Sequence, residues 1–289
     1  MVAIIINEFL KVSVKSSGAE LISIKNTISN TEYLWQGDPS FWGRRAPVLF
    51  PIVGKVSGNK YRVDGKEYEL PQHGFARDMH FDLVDQQDSN LTYCLKSSEQ
   101  TKKLYPYDFE LYISYSLNGN KLIVSYEVKN TDDKAIYFSI GAHPGFRCPL
   151  EEKESFNDYY LEFEKKENAV RHLITEGLAN GKTEEVLKDE NILNLSYDLF
   201  NTKDAVIFKN LKSSQVTLKS RKSKHQIKMD FAGFPYLGIW TKPGPFVCLE
   251  PWFGIADQYG YEGEFKDKEA IRSLMKGKTF KAEYSIEIK

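Results

Sequence analysis

The chain has 289 residues, 41% of them apolar, and its 39 basic and 40 acidic side chains are interspersed to a net charge of −1. That balance excludes the clustered basic excess a nucleic-acid partner requires, and the lack of any run of 18 apolar residues excludes a membrane-spanning helix. The three cysteines, Cys94, Cys148 and Cys248, are odd in number and far apart. They point to reduced thiols in a cytoplasmic protein, not to a disulfide framework or a zinc site.

The opening MVAIIINEFLKVSV has no basic leader and no small-residue cleavage site, so it reads as a first strand and not as a signal peptide. YRV-DG-KEYEL (61–70) and LYISYSL-NG-NKLIVSYEV (111–128) set Asp-Gly and Asn-Gly between alternating runs, a strong hairpin signal. KAIYFSI (134–140) alternates as a strand and runs into GAHPGFRCPL (141–150). The charged EEKESFNDYY (151–160) reads as an excursion over the surface. EEVLKDENIL (184–193) predicts one or two helical turns, and KEAIRSLMKG (268–277) two or three. Between and beyond these lie strand-like runs: DAVIF (204–208), QVTLKS (215–220), QIKMDFAG (226–233), YLGIWT (236–241), FVCLEPW (246–252) and FKAEYSIEIK (280–289). No repeat, low-complexity tract or linker divides the chain. The pattern predicts an all-β protein, one large antiparallel β-sandwich over residues 1–289 with few short helices. An aromatic content of 13% suits such a core, since aromatic side chains pack well on pleated surfaces.

Few residues offer chemistry. Of five histidines, His80, His172 and His225 sit in charged or alternating contexts that predict solvated side chains. His73, in LPQHGFAR, and His143, in GAHPGF, instead sit at apparent strand ends among Gly and Pro. Pro144 restricts His143 toward extended backbone, and the flanking Gly141 and Gly145 permit turns and close approach. Glu250 interrupts the apolar run FVCLEPWFGI. A carboxylate there either has a strong partner or carries a raised pKa. Asp204, at the head of AVIF, reads alone as a cap or turn residue. No HxH, HExxH or CxxC spacing marks a metal site. GKVSGNK lacks the closing Lys-Ser/Thr of a phosphate loop, and no GxGxxG or GxSxG element is present. A histidine–carboxylate combination with neither nucleophile nor cofactor suits proton transfer.

Four strings taken together, PVLFPIVGK (47–55), HGFAR (73–77), GAHPGF (141–146) and VCLEPWFG (247–254), resemble the aldose 1-epimerase (galactose mutarotase) family, in particular its LacX-like branch. The resemblance runs from about Trp35 to the terminal strand. It implies a supersandwich of antiparallel strands, with an open groove on one sheet that takes a hexose such as galactose or glucose. It implies His143 as general acid, Glu250 as general base, His73 as a hydrogen-bonding partner of the sugar and Asp204 as a holder of ring hydroxyls. The family also places an arginine near the PxxFPxxG segment; here Arg44, Arg45, Lys55 and Arg77 are the candidates. Of Trp35, Trp42, Trp240 and Trp252, the reading favours Trp240 and Trp252 as a stacking platform for the sugar. Ring opening and closure by acid and base needs no cofactor and no metal. Two alternatives stay open. One is a hexose-6-phosphate 1-epimerase, in which those cations clamp a phosphate. The other is a non-catalytic carbohydrate-binding domain. A glycoside hydrolase needs a second carboxylate facing Glu250, and only Asp204 offers one.

Overall fold

Alternation of buried and partly exposed side chains builds two 10-residue strands, Phe109–Asn118 and Lys121–Asn130, joined through Gly119 with Ser114 opposite Ser125. A second hairpin, Lys60–Val63 with Lys66–Glu69, turns through Asp64 and Gly65, both with positive φ as an Asp-Gly turn demands. The structure is a computed structural model that describes residues 1–201 and 204–289.

Among the described residues, one antiparallel sheet of 15 strands dominates. Its order begins at Val48–Leu49 and passes through Ile140–Ala142, Phe246–Phe253, Tyr236–Trp240 and Val206–Lys209 to Tyr159–Thr175. From there it continues by way of Thr279–Ile288 and the 109–130 hairpin to the edge strand Asp82–Gln86. The sheet doubles back on itself. Phe50, beside the first strand in this order, meets Phe109 near the far end at 5.1 Å, and Phe253 meets Phe280 at 5.1 Å. The two halves therefore enclose one aromatic core, as a sandwich does. A separate three-stranded sheet, Val2–Ile6, Leu10–Lys15 and Glu20–Asn26, packs Ile5, Val12 and Val14 onto that core. Among the described residues, two α-helices of four residues each, Glu99–Lys102 and Asp198–Asn201, two two-stranded sheets and short 3-10 turns complete the regular structure.

Three sequence expectations change. The apolar opening is a hairpin of two strands, because the Asn7 side chain accepts the Phe9 and Leu10 N–H groups and turns the chain. Residues 184–193 are not helical but belong to the 17-residue strand Leu178–Asn194, paired along its length with Tyr159–Thr175. Leu187 and Leu193 are buried there, and cross-strand packing overrides the helix propensity of Glu, Leu and Lys. Residues 268–277 form no helix either. Ala270 has φ +60°, Lys268 is buried against Asp257, and Arg272–Leu274 pairs as a short strand with Ile136–Phe138. The stretch 151–160 crosses the surface as expected, exposed at Glu151–Lys153, until the strand begins at Tyr159. All three cysteines are free and buried.

Candidate active site

Phe246–Phe253 is buried on both faces, and its alternation splits its side chains between two environments. Val247, Leu249 and Phe253 enter the main core. Cys248, Glu250 and Trp252 point the other way, where Cys248 packs with Trp35 and Phe246 while Glu250 and Trp252 line a groove of about 850 Å³. Gly141 and Gly238, on the two flanking strands, pair with Trp252 and Glu250 respectively. A Cβ on either glycine would stand 2.6 Å from the Trp252 indole, so their bareness lets that ring lie flat as the groove floor. The indole N–H donates to the Ala142 carbonyl at 3.2 Å.

His143 follows directly. The chain leaves Ile140–Ala142, turns at Pro144, whose carbonyl accepts the Leu249 N–H at 3.2 Å, and rejoins the same strand with Gly145 opposite Cys248. This loop brings His143 Nε2 to 3.2 Å from Glu250 Oε2. The contact is not a formed hydrogen bond: Glu250 Oε2 and His143 Nδ1 are both buried and unpartnered among the described residues. Trp42 stacks on the imidazole at 4.9 Å and 27°, and Trp240 meets it edge-on at 5.5 Å.

His73 approaches from a second loop. It holds a left-handed φ of +66°, a conformation that costs energy for a non-glycine residue and marks functional positions. Its backbone N–H donates to the Gly54 carbonyl at 2.7 Å, and its Nδ1 accepts the Gly54 N–H at 3.1 Å. That acceptor role assigns the proton of the neutral ring to Nε2, which makes His73 a donor. Its ring lies 5.6 Å from that of His143.

Burial governs the electrostatics. It pushes the His143 pKa down to about 3, with Arg77 and Arg44 opposing the imidazolium further. The same burial, with His143, Arg77 and Arg44 adding to it, holds His73 well below the usual imidazole range. Glu250 moves the opposite way: desolvation and then the Asp204 carboxylate raise it far above a free glutamate, offset in part by the Trp252 indole. Burial therefore favours the uncharged form of all three groups, leaving both imidazoles neutral at ordinary pH and drawing the Glu250 carboxyl toward its protonated form.

The structure brings His143, Glu250, His73, Asp204, Arg77, Trp240 and Trp252 to this one groove. Asp204 sits at its rim, accepting the Trp240 indole N–H at 2.7 Å. Arg45 does not line it; its guanidinium donates to the Gln36 and Ile22 carbonyls. Lys55 does not line it either; its ammonium donates to the Glu176 carbonyl and pins the tip of the 159–194 hairpin, whose turn lies against the groove. Among the described residues, the cations that line it are Arg77, Arg44 and Lys242. Arg44 and Arg77 lie 2.9 and 3.7 Å from the Asp78 carboxylate, and Arg77 keeps a buried, unpartnered Nε. Sequence reasoning left Trp42 outside the preferred set and could not separate Arg44 from Arg45. The contacts that separate the pair, Arg45 with the Gln36 and Ile22 carbonyls and Arg44 with Asp78, are made only in the folded chain.

A doubled antiparallel sheet with a histidine–glutamate pair in an open groove defines a galactose mutarotase-like β-sandwich, and comparison with known proteins agrees. The aldose 1-epimerase family profile matches residues 1–272. Protein LacX of Lactococcus lactis subsp. lactis is 36% identical over 293 residues, covering 98% of this chain and 97% of that one. A galactose mutarotase related enzyme from Lactobacillus acidophilus superposes with a TM-score of 0.96 at 35% identity, over 100% of this chain and 97% of the other. A galactose mutarotase-like protein from Lactobacillus casei gives 0.94 at 36%, with both chains fully covered. The chain belongs to the aldose 1-epimerase family, in its LacX-like branch, and is an isomerase of carbohydrates.

Proposed function

We propose that the protein, acting as a single domain, interconverts the α and β anomers of a free hexose such as galactose or glucose, with His143 as general acid and Glu250 as general base. The observation that carries this reading is the 3.2 Å approach of two buried titratable groups that do not satisfy each other. Epimerisation at C1 takes a proton from the C1 hydroxyl and gives one to the ring oxygen, which opens the hemiacetal. Those oxygens share one carbon, so acid and base must stand close together, as this pair does.

The pair holds one proton. Without sugar it rests on Glu250, because burial disfavours both charged forms. A C1 hydroxyl donating to Glu250 and a ring oxygen accepting from His143 Nε2 stabilise the charged tautomer and draw the proton to the imidazole. Glu250 then accepts the hydroxyl proton as His143 protonates the ring oxygen; closure on the other face reverses both transfers. In this reading the His73 Nε2–H, the Arg77 guanidinium and the Asp204 carboxylate hold the remaining hydroxyls, and Trp240 and Trp252 receive the apolar face of the ring, a reading supported by all five lining the one groove. The three buried, free thiols suit a reducing cytoplasm.

A hexose 6-phosphate is the second reading, favoured by Arg44, Arg77 and Lys242 along one groove. Asp78 already neutralises part of that charge, which supports the free sugar. Saturation-transfer NMR between anomers, over a panel of free hexoses and their 6-phosphates, tests both. Acceleration of free hexoses that His143→Ala abolishes while binding persists is the expected result. An active His143→Ala protein would overturn the assignment.

A further inference from the structure

We infer that His143, Cys248 and Glu250 form a binding site for a thiophilic divalent cation of the Zn²⁺ type, and that its occupancy blocks the proton-transferring pair. The blocking rests on the epimerase reading above; the binding does not.

One donor atom from each of the three residues lies within 4.8 Å of the others, and all three residues are buried. Cys248 and Glu250 stand two apart on one strand, on the same face, and His143 arrives from the loop that pairs with that strand. A tetrahedral zinc with bonds of about 2.0–2.3 Å needs its nitrogen and oxygen ligands roughly 3.3 Å apart; the observed separation is 3.2 Å. Independent of the thiol, Glu250 Oε2 is buried without a hydrogen-bond partner and faces into this triangle. An imidazole nitrogen not carrying the ring proton offers its lone pair to a metal.

Nitrogen, sulfur and a single carboxylate select zinc or cobalt over magnesium or calcium, which demand oxygen. Three protein ligands leave a fourth position, and the groove onto which His143 and Glu250 open supplies it. Coordination displaces the protons of Glu250 and Cys248 to solvent and moves no electrons. Arg44 and Arg77 oppose an incoming cation, while Asp204 and Glu176 at the rim favour it. With the cation bound, neither His143 Nε2 nor Glu250 Oε2 is free to exchange a proton with a sugar.

Cobalt(II), followed optically in freshly reduced protein freed of thiol reagents, is the probe. One Co²⁺ per chain, a thiolate-to-cobalt charge-transfer band and displacement by Zn²⁺ are expected. Loss of a direct ligand costs at least the roughly 10–100-fold seen for outer-shell changes. Cys248→Ser should therefore lose the band and weaken Zn²⁺ binding at least about tenfold, with Cys248→Ala as the second variant should Ser disturb the buried strand. Zn²⁺ should slow anomer exchange by the wild type, and at least tenfold more should be required for either variant, whose metal-free exchange persists. No band, a band that survives in Cys248→Ser, or equal affinity in wild type and variants overturns the site. Cobalt binding with the band in a protein that epimerises no sugar would sink the epimerase reading alone.

Discussion

The Trp42 indole lies nearly parallel to the His143 imidazole, 4.9 Å between ring centres, and is itself backed by Phe246 at 5.6 Å. This stack screens the imidazole from water and contributes to the burial that depresses its pKa. Trp42→Ala should let the His143 pKa climb toward 6.5, read by NMR titration of the ring protons, and should slow anomer exchange about fivefold, the equivalent of roughly 1 kcal/mol for one aromatic pair. An unmoved pKa would show that the sheet alone keeps the imidazole dry.

Acid should unfold the protein through its buried imidazoles. In the unfolded chain His143 takes up a proton near 6.5; in the folded protein it resists until about 3. Between those values the unfolded state binds the extra proton, so stability falls as pH falls. At pH 5 the loss from His143 alone is about 2 kcal/mol, and His73 adds to it in the same direction. Thermal melts of His143→Gln from pH 7 to pH 4 should be flatter than those of the wild type. Equal slopes would refute the depressed value.

Glu250 works with the opposite sign. Its folded pKa lies far above the ordinary 4.5, so as pH rises past 4.5 the unfolded chain sheds a proton that the folded protein keeps. Stability then declines by about 1.4 kcal/mol per pH unit until the folded value is reached. Glu250→Gln keeps the shape and removes the ionisation. It should melt higher than wild type at pH 7, converge with it toward pH 4.5, and lose roughly 10²–10⁴-fold in anomer exchange. A variant that melts lower at pH 7 would instead mark Glu250 as a structural ion-pair partner.

Much of this was legible in the chain because both strand period and turn chemistry are local. Asp64-Gly65 and Asn118-Gly119 announce their hairpins, and the apolar neighbours of Glu250 announce its burial. The short motifs around His73, His143 and Glu250 carried the family resemblance. What stayed hidden depends on partners distant in sequence. Residues 184–193 have helical composition, and only the opposing strand 159–175 makes them extended. Arg44 and Arg45 are alike as letters, and the Gln36 and Ile22 carbonyls that hold Arg45 leave Arg44 to meet the groove. Cys248 reads as a core thiol until the 141–147 loop folds His143 beside it.

Part of the groove wall depends on a buried charge pair. Ile255 and Ala256 line the groove immediately before Asp257, whose carboxylate lies 3.0 Å from Lys268 Nζ with both side chains almost fully buried. Asp257 also accepts the Ser57 N–H at 2.9 Å, and Lys268 donates to the Ile255 carbonyl, so the pair ties the 255–257 segment to the 54–57 loop that carries Gly54. Gly54 in turn orients His73 through Nδ1. Removing one partner leaves the other charge buried and uncompensated, at a cost of about 3–5 kcal/mol. Lys268→Met should lower stability by that order and loosen His73, raising KM for the sugar more than it lowers kcat. The double variant Lys268→Met/Asp257→Leu should recover most of the stability, since no charge remains buried, but not the KM, because the Ser57 contact is gone. Chemical denaturation and exchange kinetics on the two variants measure both quantities. A double variant as unstable as the single one would show that the pair is held in place by packing and not by the mutual need of its charges.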